Sequence, residues 1–327
     1  MAVQNSYSYK LSEEKQNILS SILKNGNYKP IHIPYTKFAA ETNNCKIALY
    51  QSGKCVIQGK GAADFVTFVL EPLVVKEAQL GYEDILNQET AQPHMGIDES
   101  GKGDFFGPLV VAGAYVDQSI IQAMREMGVR DSKRITSDNK ALGLGRELRK
   151  LLGKKFSLVK IGPEAYNKLY SKMRNVNTIL SWAHARAIEN LLDVVPDCPR
   201  AISDQFGKKE QVIQALMKKG RKIKLIQQHK AEEDLAVAAA SILARAEFIR
   251  SLKKMEQNYE ISIPKGASTA VQDAGVELIK KHGPGILLKT AKCHFKTTDI
   301  VLQKMKIDRS ALGPEGQAVS KAKKWSR

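Results

Sequence analysis

Strand-like and helical segments alternate from Met95 onward, and this alternation restricts the fold more than any other feature of the chain. The clearest strand is Leu109–Val116 (LVVAGAYV), which is apolar almost throughout. RAISDQF at Arg200–Phe206 and KIKLIQQ at Lys222–Gln228 are also strand-like. Helical patterns lie between and after these strands, at Thr178–Val194, Lys208–Lys219 and Glu232–Tyr259. Such an order predicts an α/β domain with a mixed sheet.

The first 80 residues have a different pattern. Ser12–Lys24 (SEEKQNILSSILK) is amphipathic at helical spacing, with Ser12 as a candidate N-cap. Lys46–Tyr50 and Lys54–Gly59 are short runs of β-forming residues around a glycine-containing turn, which indicates a hairpin. Ala62–Leu73 has the pattern of a further helix. Residues 1–80 are therefore predicted to form a small α+β domain.

The predicted domain boundaries follow these changes of pattern. A length of 327 residues suggests about two domains. Residues 81–93 are polar and lack sustained periodicity, so they are interpreted as a linker. The α/β domain then occupies residues 94–308. Residues 309–327 are predicted to form an irregular basic tail.

An excess of basic side chains restricts the class of partner. Lysine and arginine total 51 against 34 acidic residues, which gives a formal net charge of +17 and favours nucleic acid or an anionic membrane. Because no apolar stretch approaches the roughly 20 residues of a membrane span, no membrane association is expected. The N-terminus lacks a secretion-signal pattern, and the four cysteines form no CxxC pair. Neither a zinc site nor disulfides are indicated, so a reducing, cytoplasmic location is expected.

Acidic side chains occur where strand-like segments end. Asp98 and Glu99 precede a glycine-rich turn, and Asp204 lies at the end of a strand-like run. Glu232 begins an acidic triplet that extends to Asp234, directly before an alanine-rich helix. Hard divalent cations take oxygen ligands, and two such ions can promote phosphodiester cleavage. The pattern suggests a site for Mg²⁺ or Mn²⁺ within a basic protein that binds phosphates.

Each of these acids also has an ordinary structural interpretation. The triplet Glu232–Asp234 is typical of helix N-termini, where acids complement the helix dipole. Asp204 taken alone is more typical of a turn or a cap, and Asp98 with Glu99 could equally belong to the turn that follows. Spacing by itself does not establish that these carboxylates converge.

Four motifs in order resemble the type 2 ribonucleases H. They are MGIDESGKGDFFGPLVVAG at Met95–Gly113, DSKRIT at Asp131–Thr136, SDQFG at Ser203–Gly207 and AVAAASILAR at Ala236–Arg245. The turn GKG at Gly101–Gly103, the DQFG segment and PKGAS at Pro264–Ser268 point to the ribonuclease HIII branch. The run SGKCVIQGKGA at Ser52–Ala62 looks like the TATA-binding-protein-like domain that precedes the catalytic domain in that branch.

The resemblance implies a ribonuclease H-like catalytic fold with four metal-site acids. Asp98 and Glu99 match the paired acids of the first motif, Asp204 matches the acid of the SDQF segment, and Glu232 matches the glutamate of a KAE segment. Asp234 is the substitute for Glu232. Asp98 is expected to bridge two metal ions, with Asp204 on the nucleophile side. Glu99 is expected to contact a metal, and Glu232 to be the most mobile ligand.

The expected substrate is an RNA/DNA hybrid, because the resemblance implies recognition of ribose 2′-hydroxyls. Glycine lets the backbone approach a sugar closely, so Gly101 and Gly103 are expected to contact 2′-hydroxyls and Lys102 a phosphate; an alternative is that the glycines serve only the chain reversal. The other candidate substrate contacts are Ser100, Lys133, Lys265 and Ser268.

The predicted activity is two-metal hydrolysis of the RNA strand, leaving 5′-phosphate and 3′-hydroxyl ends. Three other interpretations stay open: cleavage at single ribonucleotides in duplex DNA, as in ribonuclease HII; a DNA-cutting enzyme with the same fold; and a basic binding protein without catalysis. No obligate protein partner is predicted, and a monomer is expected. None of the six histidines has a partner at metal-ligand spacing, and His184 is expected to pack or cap within its helix.

Overall fold

The computed structural model describes residues 5–76, 92–129, 137–204, 209–216, 220–228, 231 and 234–320. The chain divides into two compact units, Met1–Thr90 and Ala91–Arg327. The predicted linker lies largely outside the described residues, so its boundaries stay a prediction. No helix in the described part of the chain is both long and apolar enough to cross a membrane.

The first unit is built on a five-stranded antiparallel sheet in the order β1-β5-β4-β3-β2. Its strands are β1 (Ser6–Lys10), β2 (Lys29–Pro30), β3 (Thr36–Glu41), β4 (Lys46–Tyr50) and β5 (Lys54–Gln58). Strands β4 and β5 form the predicted hairpin.

Helical segments supply the apolar partners for one face of this sheet. Helix α1 (Glu13–Asn25) begins after Ser12, whose side chain makes no capping hydrogen bond. Helix α2 (Ala62–Phe65) continues as a π-helix over Val66–Val75. Alternate strand residues such as Ile47 and Ile57 pack with these helices in one buried cluster. The prediction of a small α+β domain is therefore confirmed.

The second unit contains a mixed five-stranded sheet in the order β10-β9-β6-β7-β8. Strands β6, β9 and β10 are mutually parallel, and β7 and β8 are antiparallel to their neighbours. The strands are β6 (His94–Ser100), β7 (Leu109–Val116), β8 (Phe156–Ile161), β9 (Arg200–Asp204) and β10 (Lys224–Gln228). The predicted α/β class with a mixed sheet is confirmed.

Helices cover both faces of this sheet, and the sheet separates two buried clusters. In chain order they are α3 (Gln118–Glu126), α4 (Asp138–Leu152), α5 (Pro163–Met173), α6 (Val176–Leu192), α7 (Lys209–Ala215), α8 (Leu235–Tyr259), α9 (Thr269–His282), α10 (Ile286–Thr290), α11 (Lys296–Lys304) and α12 (Gly313–Gly316). Two short 3₁₀ turns are at Gly220–Lys222 and Arg309–Leu312.

The long helix α8 packs directly on strand β6, and one glycine makes this approach feasible. A Cβ atom at Gly96 would lie 2.1 Å from the backbone nitrogen of Val237 and 2.2 Å from the carbonyl carbon of Ala236. Any side chain at Gly96 would therefore displace the helix. This packing places the start of α8 beside the strand that carries Asp98.

The predicted basic tail is wrong for residues 309–320. Leu312 and Ala318 are buried, with 1% and 3% exposure. The guanidinium of Arg309 donates to the carbonyls of Cys293 and Gly316 and pairs with Asp299. The segment packs because its buried apolar side chains and this arginine find partners elsewhere in the second unit. Residues 321–327 lie outside the described residues.

Candidate active site

Strand pairing brings two of the predicted acids to neighbouring positions. The parallel register of β6 and β9 pairs Met95 with Ala201 and Ile97 with Ser203. The next residue along each strand is Asp98 on β6 and Asp204 on β9. Because side chains alternate along a strand, both carboxylates lie on the face covered by α8. Glu99 points to the opposite face, toward α6.

Asp98 lies in a crowded and poorly solvated position. Burial and the neighbouring charge of Glu99 together raise the pKa of its carboxyl to about 6, although a hydrogen bond from Ser241 on α8 opposes the shift. Burial and a like charge both disfavour ionisation of a carboxyl group. A bound cation would relieve that repulsion, so the electrostatics of Asp98 suit a metal ligand.

Glu99 is held from two sides. Its Oε2 accepts a hydrogen bond from Nε2 of His184 at 3.1 Å, and its Oε1 lies 3.4 Å from Nζ of Lys102. Burial alone would raise the pKa of Glu99, but the hydrogen bond from His184 and the charge of Lys102 lower it below its ordinary value. Glu99 is therefore oriented and ionised.

Sequence reasoning did not find this role for His184. The histidine sits on α6, 85 residues from Glu99, and its side chain is only 1% exposed. Nothing local in SWAHARAIENLL distinguishes it from a packing residue. Its only signal is a polar ring on the otherwise apolar face of a helix, and that signal identifies no partner.

The acidic triplet before α8 is described only at Asp234. This side chain is the N-cap of α8, where its Oδ1 accepts from the backbone N–H groups of Ala236 and Val237 at 2.9 and 3.2 Å. Nε2 of His94 lies 2.9 Å from the other carboxylate oxygen, Oδ2. These contacts occupy the carboxylate of Asp234 and disfavour it as the substitute metal ligand. Glu232 lies outside the described residues and stays a prediction.

The available oxygen donors fit a hard divalent cation. Within the described ranges, no three His, Cys, Asp or Glu side chains form a group that could hold a metal ion. Mg²⁺ commonly takes only one or two carboxylates and completes its shell with water and substrate phosphate oxygens. Asp98, Asp204 and Glu99 supply carboxylates of that kind, and the predicted set is completed by Glu232.

The two glycines of the GKG turn have different environments. Gly101 is buried with φ +88°, and a Cβ there would lie 2.3 Å from the carbonyl oxygen of Pro108. Glycine at 101 is thus required by the chain itself. Gly103 is exposed, and a Cβ there would meet nothing within 4 Å. Of the two, Gly103 has the peptide group open to an approaching ligand.

The loop Pro264–Ser268 lies against this turn. The backbone N–H of Gly266 donates to Oδ1 of Asp104 at 2.6 Å, and its carbonyl accepts from Phe105 N–H at 2.9 Å. Two predicted substrate contacts, Lys265 and Ser268, therefore belong to a loop that contacts the residues directly after the GKG turn. Both are exposed, although Lys265 forms an ion pair of 2.7 Å with Asp138. Ser100 ends strand β6, whereas Lys133 lies outside the described residues.

Comparison with known proteins identifies the family. The model for ribonuclease HII matches residues 95–298, and the model of a domain of unknown function (DUF3378) matches residues 7–78. Ribonuclease HIII from Protochlamydia amoebophila is 42% identical over 84% of this chain and 90% of its own length. Ribonuclease HIII from Chlamydia pneumoniae is 42% identical over 88% of this chain and 95% of its own length.

A solved structure supports the same assignment across both units. The crystal structure of Bst-RNase HIII in complex with Mn²⁺ aligns with a TM-score of 0.63 and 25% identity, and the alignment covers 92% of this chain and 99% of that chain. The order of motifs, the mixed sheet and the adjacent acids Asp98 and Asp204 agree with these similarities. The chain belongs to the ribonuclease HIII family.

Proposed function

We propose that this ribonuclease HIII cuts the RNA strand of RNA/DNA hybrids at a site formed by Asp98, Glu99, Asp204 and Glu232. The observation that carries the proposal is the adjacency of Asp98 and Asp204 at the ends of β6 and β9, next to the GKG turn. A nuclease needs carboxylates at one point and basic groups around them, and the positions of Asp98, Asp204 and Lys102 support such a site at this edge of the sheet.

Divalent-metal dependence follows from the family, and Mg²⁺ or Mn²⁺ is the proposed cofactor. When bound, two such ions supply an activated water and charge stabilisation for the leaving oxygen, which gives 5′-phosphate and 3′-hydroxyl products. Asp98 and Asp204 are proposed to hold these ions from two adjacent strands. Glu232 would complete the set as the fourth acid.

The chain's own residues are proposed to hold this site in one geometry. His184 and Lys102 fix the carboxylate of Glu99, and Ser241 bonds Asp98 from helix α8. All of these groups except Lys102 stand on a strand or a helix, which limits their movement. Carboxylates that are already held in the geometry of the reaction need no rearrangement when the substrate binds, and this lowers the barrier.

Recognition of RNA is proposed to rest on the exposed backbone at Gly103. A peptide group without a nearby Cβ can approach a ribose and bond to its 2′-hydroxyl. Lys102, whose side chain is 41% exposed, is proposed to contact a phosphate. Ser100, Lys265 and Ser268, with Lys133, would extend this contact surface.

The first unit is proposed to bind the hybrid through the sheet face opposite α1. Lys10 and Lys54 lie directly opposite each other on β1 and β5, on the face that does not enter the buried cluster. Like charges at such positions are destabilising, so an anion between them would relieve repulsion. The exposed Lys46 and Gln58 continue this polar face.

The enzyme is further proposed to act as a monomer in the cytoplasm, without an obligate protein partner. All four cysteines (Cys45, Cys55, Cys198, Cys293) are free and buried. Unpaired thiols are typical of proteins in reducing compartments.

A substrate panel tests the catalytic proposal. Labelled RNA/DNA hybrid, all-DNA duplex and a duplex with one ribonucleotide are each incubated with Mg²⁺, Mn²⁺ or chelator. Cleavage of the hybrid alone, with either metal and not with chelator, is expected. Cutting restricted to the single ribonucleotide would favour the ribonuclease HII-like alternative, and cutting of all-DNA duplex would contradict the proposal.

Salt-dependent binding tests the role of the first unit. The double variant Lys10→Gln/Lys54→Gln is compared with Lys15→Gln/Lys24→Gln on helix α1. Only the first pair is expected to weaken hybrid binding in chelator and to reduce the salt slope, by about one for each lost phosphate contact. Equal effects in the two pairs would show that the sheet face has no special role.

A further inference from the structure

A lysine with no assigned role lies buried behind the GKG turn. Lys292 has 0% exposure, although lysine is among the residues least often buried completely. Its Nζ donates to the carbonyl oxygens of Phe106 and Gly107 at 3.2 and 2.7 Å. It also lies 6.0 Å from the ring centroid of Tyr166. This ammonium is therefore used to bind main-chain carbonyls inside the protein.

Backbone contacts reinforce the same connection. The amide of Lys292 donates to the carbonyl of Phe105 at 2.8 Å, and the amide of Gly107 donates to the carbonyl of Thr290 at 2.9 Å. Phe106 and Ala291 form an antiparallel bridge. The short segment Phe105–Gly107 is thus fixed to a segment more than 180 residues later in the chain, since Phe106 and Lys292 are 186 apart.

The opposite end of that segment is tied to a second loop. The backbone of Gly266 pairs with Asp104 and Phe105, and the exposed Gly103 stands directly before them. Residues 104–107 are therefore held by Gly266 on one side and by residues 290–292 on the other. In the second of these two sets of contacts, the charged side chain is that of Lys292.

Keeping a cation in this position is unfavourable in itself. Burial lowers the pKa of Lys292 to about 7, although the carboxylate of Asp104 nearby raises it. An apolar side chain of the same length would avoid this desolvation but would leave two buried carbonyls without a donor. The position therefore requires a donor that reaches two acceptors at once.

We propose that Lys292 is a positioning residue that holds the Phe105–Gly107 segment and thereby sets the placement of Gly103 for selection of RNA over DNA. The proposal rests on the proposed role of the GKG turn in sensing ribose. Lys292 touches no substrate and acts through the backbone of the segment that follows the turn. Its loss is expected to reduce discrimination more than it reduces general nucleic-acid binding.

The test compares Lys292→Met with wild type and with Val159→Ala, a buried truncation on strand β8. Affinities for an RNA/DNA hybrid and for the matching DNA duplex are measured in chelator, at a temperature where urea titration shows all three proteins folded. Lys292→Met is expected to lower the hybrid-to-DNA affinity ratio at least fivefold, with a matching rise in KM and a smaller change in kcat. Val159→Ala is expected to keep the wild-type ratio.

Lys292→Gln is the second variant, because its amide can still donate to one of the two carbonyls. A partial recovery of the ratio in Lys292→Gln supports the proposal. An unchanged ratio in a folded Lys292→Met protein would overturn it, as would an equal loss in Val159→Ala or the failure of both Lys292 variants to fold. A wild-type protein without hybrid preference would instead contradict the proposed role of the GKG turn.

Discussion

Two histidine–carboxylate pairs stand at the two ends of strand β6. At its start, His94 bonds Asp234 at 2.9 Å; near its end, His184 bonds Glu99 at 3.1 Å. Both imidazoles are buried, with 1% side-chain exposure each. Both pairs join an imidazole to a carboxylate, but the two carboxylates differ in their other contacts and therefore in what they can bind.

The difference lies in what else each carboxylate binds. Asp234 also accepts two backbone N–H groups at the start of α8, so its acceptor positions are taken. Glu99 has an exposed lysine as its other described partner and lies next to Asp98, whose pKa it raises. A saturated carboxylate stabilises structure, whereas one beside a second acid and solvent is open to a cation. Whether an acidic residue near a turn can bind a metal ion is thus better predicted from the hydrogen bonds its carboxylate oxygens already accept than from its spacing in the sequence.

The largest effect is expected from Asp98→Asn, at the end of β6 that carries Glu99. Removing the proposed bridging charge should lower kcat about a thousandfold or more, roughly 4 kcal/mol of activation free energy. Hybrid binding in chelator should stay near the wild-type value, because the phosphate contacts remain. Single-turnover cleavage and a binding titration measure both quantities. Efficient cutting by this variant would remove Asp98 from the site.

A substitution at the His94 end of β6 should instead lower the free energy of unfolding. Asp234→Ala removes an N-cap and leaves buried His94 without its carboxylate, which together should cost about 2–4 kcal/mol of unfolding free energy. Urea denaturation measures the loss. Activity per folded molecule should persist. If a folded Asp234→Ala protein does not cleave, then Asp234 takes the role that we assign to Glu232.

A smaller effect is expected from His184→Leu. Without its hydrogen bond, Glu99 loses orientation, and loss of such an outer partner typically costs about 10–100-fold in metal affinity or activity. A Mg²⁺ titration of cleavage should therefore shift to higher concentration. His184→Gln, which retains a donor, serves as the control and should recover part of the loss. An identical titration for all three proteins would mean that His184 only fills space.

A third buried histidine sharpens the comparison, because its neighbours are aromatic rings and cations. The ring of His294 stacks on Tyr170 at 4.3 Å. Burial, aided by Lys292 and Arg309, lowers its pKa to about 4. The unfolded chain therefore binds a proton more readily, so stability is present above pH 6.5 and is lost as the pH falls toward 4.

Between pH 7.5 and 5.5 this histidine should contribute a loss of about 1 kcal/mol. Urea titrations at the two pH values measure it, with His294→Phe as the matched aromatic variant. The variant should lose less stability over this interval than wild type does. Equal pH dependence in both proteins would show that His294 keeps an ordinary pKa.

Much of the architecture could be predicted because it depends on local patterns. The bounds of β7 coincide with the predicted Leu109–Val116, and the hairpin of the first unit lies where its two β-forming runs predict it. Strand β8 is absent from the sequence predictions, although Phe156, Val159 and Ile161 are β-forming residues. The order of motifs was sufficient to indicate the family.

The features of the candidate site likewise fall into those that local sequence patterns predict and those that depend on long-range contacts. The sequence alone determined which acids to consider and where strands end, because hydrophobic periodicity and motif order are properties of neighbouring residues. Only the tertiary structure decided that His94 pairs with Asp234, that His184 orients Glu99 and that residues 309–320 pack. Those contacts join positions as far apart as the 140 residues between His94 and Asp234. They depend on sheet register and helix packing, which no local pattern encodes.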